Sequence, residues 1–444
     1  MVDKPNVLLV QTDQQRWDTL GTYGNPMGLT PTLDQMAANG VKVERAFSPQ
    51  PLCGPSRAAL QTGQYASRSS VMRDSKPLPA DAKTLAHAFG DAGYDTGFVG
   101  DWHLAGTFDE AVSPKRRHGY EDFWIAADVP EFTTQPTEGT LYDGYGEPRE
   151  FSTYRTDAFT DFALEAIGEL SEPFLLVVSY LEPHDQNELG RFVGPTGAAD
   201  RHATNPYIPR DLAGRPGDWY AELPDYYAMV ERIDECVRRL FDALNEQTYR
   251  ESVRCFTSDH GCHFKTRPGE YKRSCHESSI RVPLLFDGLG FEREGHVEEL
   301  VSLIDVAPTL LDAAGIDVPV EMDGKSILSL VDGSAETWRE AIFVQTGEAE
   351  IGRSIRTDRW KLGVAAPTMN GWRGGWGDDS SDVYVDRYLY DLATDPEEHV
   401  NLVGRADSRA VADELRERLT AFITDVESET PELHSFENPG YREL

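Results

Sequence analysis

Four polar side chains follow two predicted β-strands and have the chemistry of a metal site. Asp13 and Gln14 come directly after a strand-like apolar run, Val7–Val10, and Asp259 and His260 end another such run. In an open α/β sheet, ligands gather outside the carboxyl ends of the strands, so we expect the two pairs to converge. Two carboxylates, an amide and one imidazole favour a hard divalent cation, Ca²⁺ ahead of Mg²⁺ or Mn²⁺. Each pair alone could instead cap a helix or form a turn.

A second group of reactive side chains begins at Cys53, in the sequence Cys-Gly-Pro-Ser-Arg. Arg57 follows Cys53 by four residues, so on a helix that opens after this motif the two side chains lie on the same face. A lone cysteine near a proline is usually a small buried apolar residue, and that interpretation stays open at this point. Ser56 could be a direct nucleophile, but no Gly-x-Ser-x-Gly turn surrounds it, so we reject a serine triad.

The stretch from Cys53 to Tyr65 resembles the signature of the type I sulfatases, a branch of the alkaline phosphatase superfamily. A Cys-x-Pro-x-Arg core runs into Leu-x-Thr-Gly in both. The resemblance implies that a formylglycine-generating enzyme oxidises Cys53 to formylglycine, an aldehyde whose hydrate is the catalytic nucleophile. It also implies that Arg57 holds this group. The Asp-Gln and Asp-His pairs match the positions at which the family binds one divalent metal ion.

Further segments carry the resemblance and supply groups that bind an anion and move protons. Gly100–Leu104 is similar to the family's Gly-Lys-Trp-His-Leu segment, which makes His103 a candidate base. His184, in Glu-Pro-His, matches the histidine that reaches the leaving-group oxygen, and a histidine can protonate it near neutral pH. Lys272 opens a segment that ends in Ile-Arg-Val-Pro, as the family's active-site lysine does.

One position departs from the family pattern. Asp101 stands where the family has a lysine that contacts both the formylglycine hydrate and the sulfate. An acidic side chain there would repel the substrate anion unless it pairs with an arginine or the metal. Arg68, Arg73 or Arg273 could supply the missing cation, and the sequence does not choose between them.

The composition excludes several classes of partner. The 444-residue chain has a formal net charge of −34, and only nine of its 42 basic residues are lysine. Nucleic acids and anionic membranes need clustered cations, so we expect neither as a partner. Such a charge suits a halophilic protein, because salt at 1 M screens charges over about 3 Å. An acidic mesophilic protein stays open as the alternative. Five cysteines without a Cys-x-x-Cys pair, and N-terminal residues without a signal-peptide pattern, favour a cytoplasmic protein with no disulfide framework.

Alternating strand and helix patterns predict an α/β fold. A long helix is predicted at 225–244, and Gly- and Pro-rich residues 105–170 and 185–224 are expected to form insertions around the mouth of the site. We predict a catalytic domain at 1–340, with a central mixed, mostly parallel sheet flanked by helices as in alkaline phosphatase. Four strand-like segments and a closing helix then predict a small α+β domain at 341–444, with an antiparallel sheet.

These features predict a sulfuric ester hydrolase of the arylsulfatase type, with a small-molecule or carbohydrate sulfate ester as substrate. The resemblance implies that the Cys53-derived hydrate attacks sulfur while His184 and Lys272 assist the leaving alcohol. Covalent catalysis of this kind divides one difficult step into two. Two other functions stay open: a phosphonate or phosphate ester hydrolase on the same scaffold, and a catalytically silent binding protein, which Asp101 makes credible. The sequence does not identify the alcohol half of the substrate.

Overall fold

The computed structural model describes residues 4–74, 76–267, 269–292, 294–367 and 378–436. Its largest element is a sheet of twelve strands. In chain order these strands are β1 (Asn6–Thr12), β2 (Val41–Phe47), β3 (Asp95–Asp101), β4 (Phe123–Ala127), β5 (Thr134–Gln135), β6 (Glu138–Asp143), β7 (Pro148–Phe151), β8 (Phe174–Ser179), β9 (Ser252–Ser258), β10 (Arg281–Val282), β11 (Leu284–Gly288) and β12 (Gly295–Ser302).

The centre of this sheet is parallel and its edges are mixed. Strands β9, β1, β8, β3 and β4 lie side by side in parallel, and Val10 of β1 is paired with Val178 on one side and Phe256 on the other. Strand β11 runs antiparallel to β9, and β6 antiparallel to β4. The parallel centre brings the carboxyl ends of five strands to one edge of the sheet, where ligand sites form in such folds.

Helices cover both faces of the large sheet. The helices are α1 (Pro31–Asn39), α2 (Cys53–Thr62), α3 (Ala66–Ser69), α4 (Leu85–Asp91), α5 (Arg155–Glu169), α6 (Trp219–Gln247), α7 (Glu277–Ile280), α8 (Val306–Ala313), α9 (Leu328–Val331) and α10 (Arg409–Glu427). Short 3-10 helices lie at Trp17–Thr19, Gly21–Tyr23, Pro114–Arg116, Pro130–Phe132, Ala199–Arg201, Leu303–Asp305 and Ala406–Ser408.

Strand β1 shows how the apolar sequence divides between the two faces. Val7 and Leu9 belong to a core that includes residues of α2, α4 and α8. Leu8 and Val10 belong to a second core, built with α1, α5 and α6. Successive side chains of a strand point to opposite faces, so a continuous apolar run is what a strand buried on both faces requires.

Two elements differ from the sequence expectation. Residues 105–170, expected to be an insertion, contribute β4 to the parallel centre of the sheet and α5 to one of its faces. The expected helix 225–244 begins earlier, at Trp219, and continues through Pro224. Pro224 is the sixth residue of this helix, so the helix lacks the backbone hydrogen bond that an N–H at this position would donate.

A separate five-stranded sheet follows the large one. Its strands are β13 (Ala341–Thr346), β14 (Gly352–Thr357), β15 (Trp360–Ala365), β16 (Val383–Asp391) and β17 (Glu432–His434).

The small sheet is antiparallel from β13 to β16, as expected, whereas the short strand β17 pairs in parallel with β16. Helix α10 packs on this sheet through Leu415, Leu419 and Ile423. The predicted small domain, 341–444, also includes 368–377 and 437–444, which lie outside the described residues.

Two further findings concern the whole described chain. All five cysteines are buried and free. Within the described ranges, no helix combines the length and the apolar character that crossing a lipid bilayer requires.

Candidate active site

The carboxyl edge of the large sheet brings the predicted metal ligands together. Asp13 and Gln14 follow β1, and Asp259 and His260 follow the neighbouring strand β9. The N–H of Asp259 donates to the carbonyl of the last β1 residue at 3.1 Å, so the pairing continues past both strand ends. Cys53, the first residue of α2, completes the group. One ligand atom from each of Asp13, Cys53, Asp259 and His260 lies within 4.8 Å of the others.

All nine predicted site residues are buried. Their exposed fractions are 0% for Asp13, Gln14, Asp259 and His260, 1% for Cys53 and Arg57, 4% for His184, 5% for Lys272 and 6% for His103. Charged groups in protein interiors must be paired or bind metals, so the ionisable groups of the site depend on one another for their charge.

Lys272 contacts the sulfur of Cys53. Its Nζ donates to Cys53 Sγ at 2.8 Å, and Nε2 of His260 lies 3.5 Å from the same sulfur. Burial raises the pKa of the Cys53 thiol well above its ordinary value, and the charge of Asp13 raises it further. Burial would lower the pKa of Lys272, but Cys53 and Asp13 raise it above its ordinary value. The sulfur therefore lies against a permanent ammonium group.

His184 lies on the other side of this ammonium. Its Nε2 is 3.0 Å from Lys272 Nζ, and its Nδ1 is 2.6 Å from the backbone carbonyl of Asp185. The carbonyl can only accept, so Nδ1 carries the proton and Nε2 is the atom that faces Lys272. This arrangement leaves Nε2 as the proton-exchanging atom of the pair.

The orientation of Gln14 and His260 fits a hard cation. Gln14 Nε2 donates to Asp185 Oδ1 at 3.2 Å, which turns its Oε1 the other way. Within the described residues, Gln14 Oε1, Asp13 Oδ1 and Asp259 Oδ2 are buried without a hydrogen-bond partner. His260 Nδ1 bonds to the carbonyl of Gly261 at 3.0 Å, so Nε2 is free to act as a ligand. Oxygen atoms that are buried and unpartnered are what a cation site requires.

Arg57 lies among three carboxylates. Its Nη2 contacts Asp13 at 3.0 Å and Asp101 at 2.7 Å, and its Nε is 3.4 Å from Asp259. Burial raises the pKa of Asp259 well above its ordinary value, and the neighbouring charge of Asp13 adds to this. Burial would raise the pKa of Asp13 too, but Lys272 and other nearby positive charges hold it well below its usual range. The direct contact of Arg57 with the Cys53 group stays a prediction.

The unusual Asp101 is compensated by two positive groups. It is fully buried, and besides its contact with Arg57 its Oδ1 lies 3.5 Å from His103 Nδ1. Burial would lower the pKa of His103, but the nearby carboxylate of Asp101 raises it to about 10. His103 is therefore an imidazolium at neutral pH. The negative charge at position 101 thus comes with a positive charge two residues later.

Of the three arginines considered as a replacement cation, one lies at the site. Arg73 pairs with Asp379, and Arg68 pairs with Asp323. Arg273 lines the cleft above Cys53, but its guanidinium is shared among Glu348 at 3.0 Å, Glu270 at 2.9 Å and Asp74 at 3.6 Å. Because three carboxylates surround it, Arg273 adds no net positive charge.

A cleft of about 310 Å³ opens above the sulfur, and we call it the Cys53 cleft. Five predicted site residues line it, namely Gln14, Cys53, His103, His184 and Lys272. Its other walls come from residues that the sequence did not indicate, including Asp74, Phe108, Glu131, Phe132, Asp185 and Glu348. A second cavity, of about 350 Å³, contains none of the nine predicted residues.

One of these unpredicted walls joins the two sheets. Glu348, from the turn after β13, accepts from the N–H of Asp74 at 3.1 Å and from Arg273 Nε at 3.0 Å. Asp74 in turn accepts from the N–H of Gly54, next to Cys53, at 2.8 Å. No local motif marks these residues, since they meet only through the tertiary fold.

The walls of the Cys53 cleft contain several residues with left-handed backbone. The φ angles are 66° for Gln14, 59° for His103, 57° for Phe108, 68° for Arg273 and 62° for Glu348. Such conformations cost on the order of 1 kcal/mol each for residues other than glycine and cluster at functional sites. Their concentration here independently indicates a site shaped for a ligand.

Comparisons with known proteins agree with this geometry. The family model described as "Sulfatase" matches residues 5–316, which is more than half of the chain. The chain belongs to the sulfatase family. A model described as "N-sulphoglucosamine sulphohydrolase, C-terminal" matches residues 269–375.

Individual sulfatases resemble the chain over almost its whole length. The ulvan-active sulfatase of Formosa agariphila is 28% identical over 453 residues, covering 96% of this chain and 82% of that protein. Among solved structures, a putative sulfatase from Bacteroides fragilis has a TM-score of 0.80 at 22% identity, with 96% of each chain covered. Another, in complex with its substrate D-glucosamine-2-N,6-O-disulfate, has a TM-score of 0.75 at 21% identity, covering 96% of this chain and 99% of that one. These structures share the alkaline-phosphatase-like fold of the large sheet.

Proposed function

We propose that this sulfatase hydrolyses a sulfate monoester of a carbohydrate, with a nucleophile made from Cys53 and a divalent cation. Family membership supports the hydrolysis of sulfuric ester bonds. The observation that carries the site assignment is the cluster of Asp13, Cys53, Asp259 and His260, with Lys272 Nζ at 2.8 Å from the sulfur. The sugar is supported by relatives named for ulvan and for a glucosamine disulfate. The volume of the Cys53 cleft, about 310 Å³, suits one sugar ring.

Asp13, Gln14, Asp259 and His260 are the residues that would hold the cation. The donor set of carboxylate and amide oxygens with one imidazole favours Ca²⁺, with Mg²⁺ or Mn²⁺ as alternatives. When bound, the cation would neutralise the charge of the sulfate and help to orient the ester. Burial and the charge of Asp13 raise the pKa of Asp259. Burial opposes the lowered pKa of Asp13, which Lys272 and other positive groups hold below its usual range, and two such carboxylates side by side support this assignment.

The remaining groups provide binding and proton transfer. An aldehyde hydrate derived from Cys53 would supply an oxygen nucleophile where the sulfur now lies. Lys272 and the His103 imidazolium place two positive charges beside the sulfate, where preorganised charge contributes most to catalysis. His184 Nε2 accepts from Lys272 while Nδ1 is fixed by a backbone carbonyl, so this atom would pass a proton from the Lys272 ammonium to the leaving oxygen. With a pKa of about 10, His103 can serve as a base only after it has released its own proton.

The maturation of the protein, its compartment and its salt environment are part of the same proposal. We assign maturation to a formylglycine-generating enzyme, because Cys53 opens the helix that carries the signature. The five free, buried cysteines support a reducing, cytoplasmic environment. The net charge of −34 supports a salt-rich one.

Two measurements test this proposal. Peptide mass spectrometry of protein expressed with its maturation enzyme should show the Cys53 peptide lighter by about 18 Da than the unmodified one, the change for cysteine to formylglycine. The matured protein should then cleave an aryl sulfate faster than the matching phosphate or phosphonate monoesters. Faster turnover of a phosphorus ester would favour the alternative hydrolase. Unmodified Cys53 together with no ester cleavage would favour a silent binding protein.

A further inference from the structure

Glu131 is a buried carboxylate that the proposed chemistry does not use. Its side chain lines the Cys53 cleft and is 7% exposed. Within the described residues, its Oε2 is buried and has no hydrogen-bond partner. Its charge contributes to the raised pKa of His103, so it lies in the field of that imidazolium without a hydrogen bond to it. A buried carboxylate without a direct partner is costly unless a ligand supplies one.

Two exposed aromatic rings flank this carboxylate. Phe108 and Phe132 are 40% and 63% exposed, and their centroids lie 5.9 Å apart with the rings at 86°. Both line the same cleft as Glu131. Exposed phenyl rings beside an acidic group have the chemistry of a cation site, because the face of an aromatic ring attracts ammonium groups.

Hydrogen bonds join the backbone segments that carry these three side chains. Asp128, just after β4, accepts from the N–H groups of Thr107 at 2.7 Å and Phe108 at 3.0 Å. The N–H of Val129 donates to the carbonyl of Phe108 at 3.2 Å, and the 3-10 helix Pro130–Phe132 follows at once. The loop that carries Phe108 and the turn that carries Glu131 are thus joined into one wall. Such preorganisation is what a specific subsite needs.

We propose that Phe108, Glu131 and Phe132 form an ammonium subsite, which binds a positively charged substituent on the alcohol half of the sulfate ester. The inference rests on the proposed sulfatase function and names the substrate class within it. The sulfate would lie at Cys53 and Lys272, and the ammonium group against Phe108, Glu131 and Phe132, which line the same cleft. An amino sugar with a free amine and a small alkylammonium alcohol both have this chemistry.

The subsite also predicts what the enzyme rejects. Beyond Phe132 and Glu131 the surface continues into a groove of about 420 Å³, where Glu138, Glu150 and Glu188 are exposed. Exposed acids are common on a chain of charge −34, so these alone decide nothing. Together with the buried Glu131, however, they make a second anionic group on the alcohol unfavourable on this side. A uronate or a second sulfate should therefore weaken binding here.

Matched ester pairs test the ammonium subsite. The first pair is glucosamine 6-sulfate and glucose 6-sulfate, and the second is 2-(trimethylammonio)ethyl sulfate and 3,3-dimethylbutyl sulfate. In each pair only one member carries the positive charge. For the matured enzyme we expect kcat/KM to favour the ammonium ester of at least one pair by about tenfold, and the pair that shows it identifies the source of the ammonium group. D-glucosamine-2-N,6-O-disulfate should be the poorest sugar substrate.

Charge-neutral variants separate the subsite from the general acidity of the surface. Glu131→Gln should reduce the ratio of kcat/KM for the ammonium ester to that for its neutral partner to about one. Glu138→Gln makes the same change at an exposed position of the groove and should leave this ratio unchanged. Glu131→Gln also affects His103, which acts on both esters of a pair. The test therefore uses the ratio of their kcat/KM values, from which a change common to both esters cancels. Phe132→Leu should reduce the preference for the trimethylammonio ester.

Either of two outcomes would overturn the inference: equal turnover within both pairs by the wild type, or a preference that survives Glu131→Gln. Turnover of an aryl sulfate by the same preparation reports separately on the sulfatase function. Should that turnover be absent, calorimetry of the four esters on the Cys53→Ala variant still measures whether the ammonium members bind more tightly. Equal binding there would refute the ammonium subsite independently of catalysis.

Discussion

Replacing Asp101 by asparagine should convert His103 from a cation into a neutral imidazole. The substitution keeps the shape of the side chain and removes the charge 3.5 Å from His103 Nδ1. The difference between the ordinary pKa of 6.5 and the value of about 10 corresponds to about 5 kcal/mol of preference for the charged form. Burial opposes that preference and Asp101 is its largest favourable source. Without Asp101, the pKa of His103 should fall below 6.5.

The sign of the pH dependence follows from this raised pKa. A histidine with a folded pKa above its unfolded one stabilises the protein fully below pH 6.5, and this stabilisation is lost as the pH rises through about 10. The wild-type free energy of unfolding should therefore decline across this window, and that of Asp101→Asn should be flatter. Since the imidazolium helps to bind the sulfate, kcat/KM of the variant near pH 8 should fall by about 100- to 1,000-fold, the size expected for one lost stabilising group.

Nuclear magnetic resonance measures the central quantity directly. With labelled histidine, the His103→Gln variant identifies the His103 signal among the eleven histidines. The matched control is Asp287→Asn, which also takes one carboxylate from a buried Asp–Arg pair, that of Asp287 with Arg254 at 2.6 Å, outside the Cys53 cleft. It should leave the His103 titration unchanged. A wild-type His103 that titrates near 6.5, or one that titrates identically in Asp101→Asn, would refute the reasoning.

Three further predictions concern stability. Lys361 is buried between Glu277 at 2.7 Å and Glu398 at 2.6 Å. In denaturant titrations, Lys361→Met should therefore lower the free energy of unfolding by about 3–5 kcal/mol. The control Lys325→Met, at an exposed position, should have little effect. Removing divalent metal with a chelator should lower the melting temperature. Adding Ca²⁺ at about 100 times its Kd should restore about 2.7 kcal/mol of the free energy of unfolding in the wild type but not in Asp13→Asn. A melting temperature that the chelator leaves unchanged would contradict the metal site. Raising KCl from about 0.1 to about 1 M should increase stability, because screening relieves the repulsion of a −34 charge, and a flat or falling salt response would count against a halophilic origin.

The elements that carry the metal ligands could be predicted from the sequence because each depends on a local pattern. The apolar run Val7–Val10 lies within strand Asn6–Thr12, and Asp259 and His260 directly follow strand Ser252–Ser258, as their local patterns indicate. The convergence of Asp13 with Asp259 follows from a general rule about the carboxyl ends of parallel strands, which needs no knowledge of side-chain contacts. Strand β4 was missed although Phe123–Ala127 is an apolar run, because the surrounding Gly, Pro and polar residues suggested an insertion.

The other half of the site depends on contacts between residues distant in the sequence. Glu131 lies in a segment expected to be an insertion, and nothing in its neighbours marks it as buried in a cleft. The sequence shows an acid at position 101 but not where its carboxylate points. Only the fold reveals that it lies between Arg57 and His103, so that an apparent repulsion becomes a source of positive charge at His103. Tertiary packing decides which distant residues pair in this way. Composition and periodicity carry no information about that packing.

The bridge from Glu348 to Asp74 and Arg273 has a consequence for how such enzymes diversify. Through it, a turn of the C-terminal sheet forms part of a cleft whose nucleophile lies in α2 and whose metal ligands follow strands of the large sheet. Insertions or substitutions in that turn can change which esters enter without touching the nucleophile or the metal ligands. The turn that carries Glu348 can thus contribute to substrate range, alongside the wall of Phe108, Glu131 and Phe132, while the nucleophile and the metal ligands stay the same.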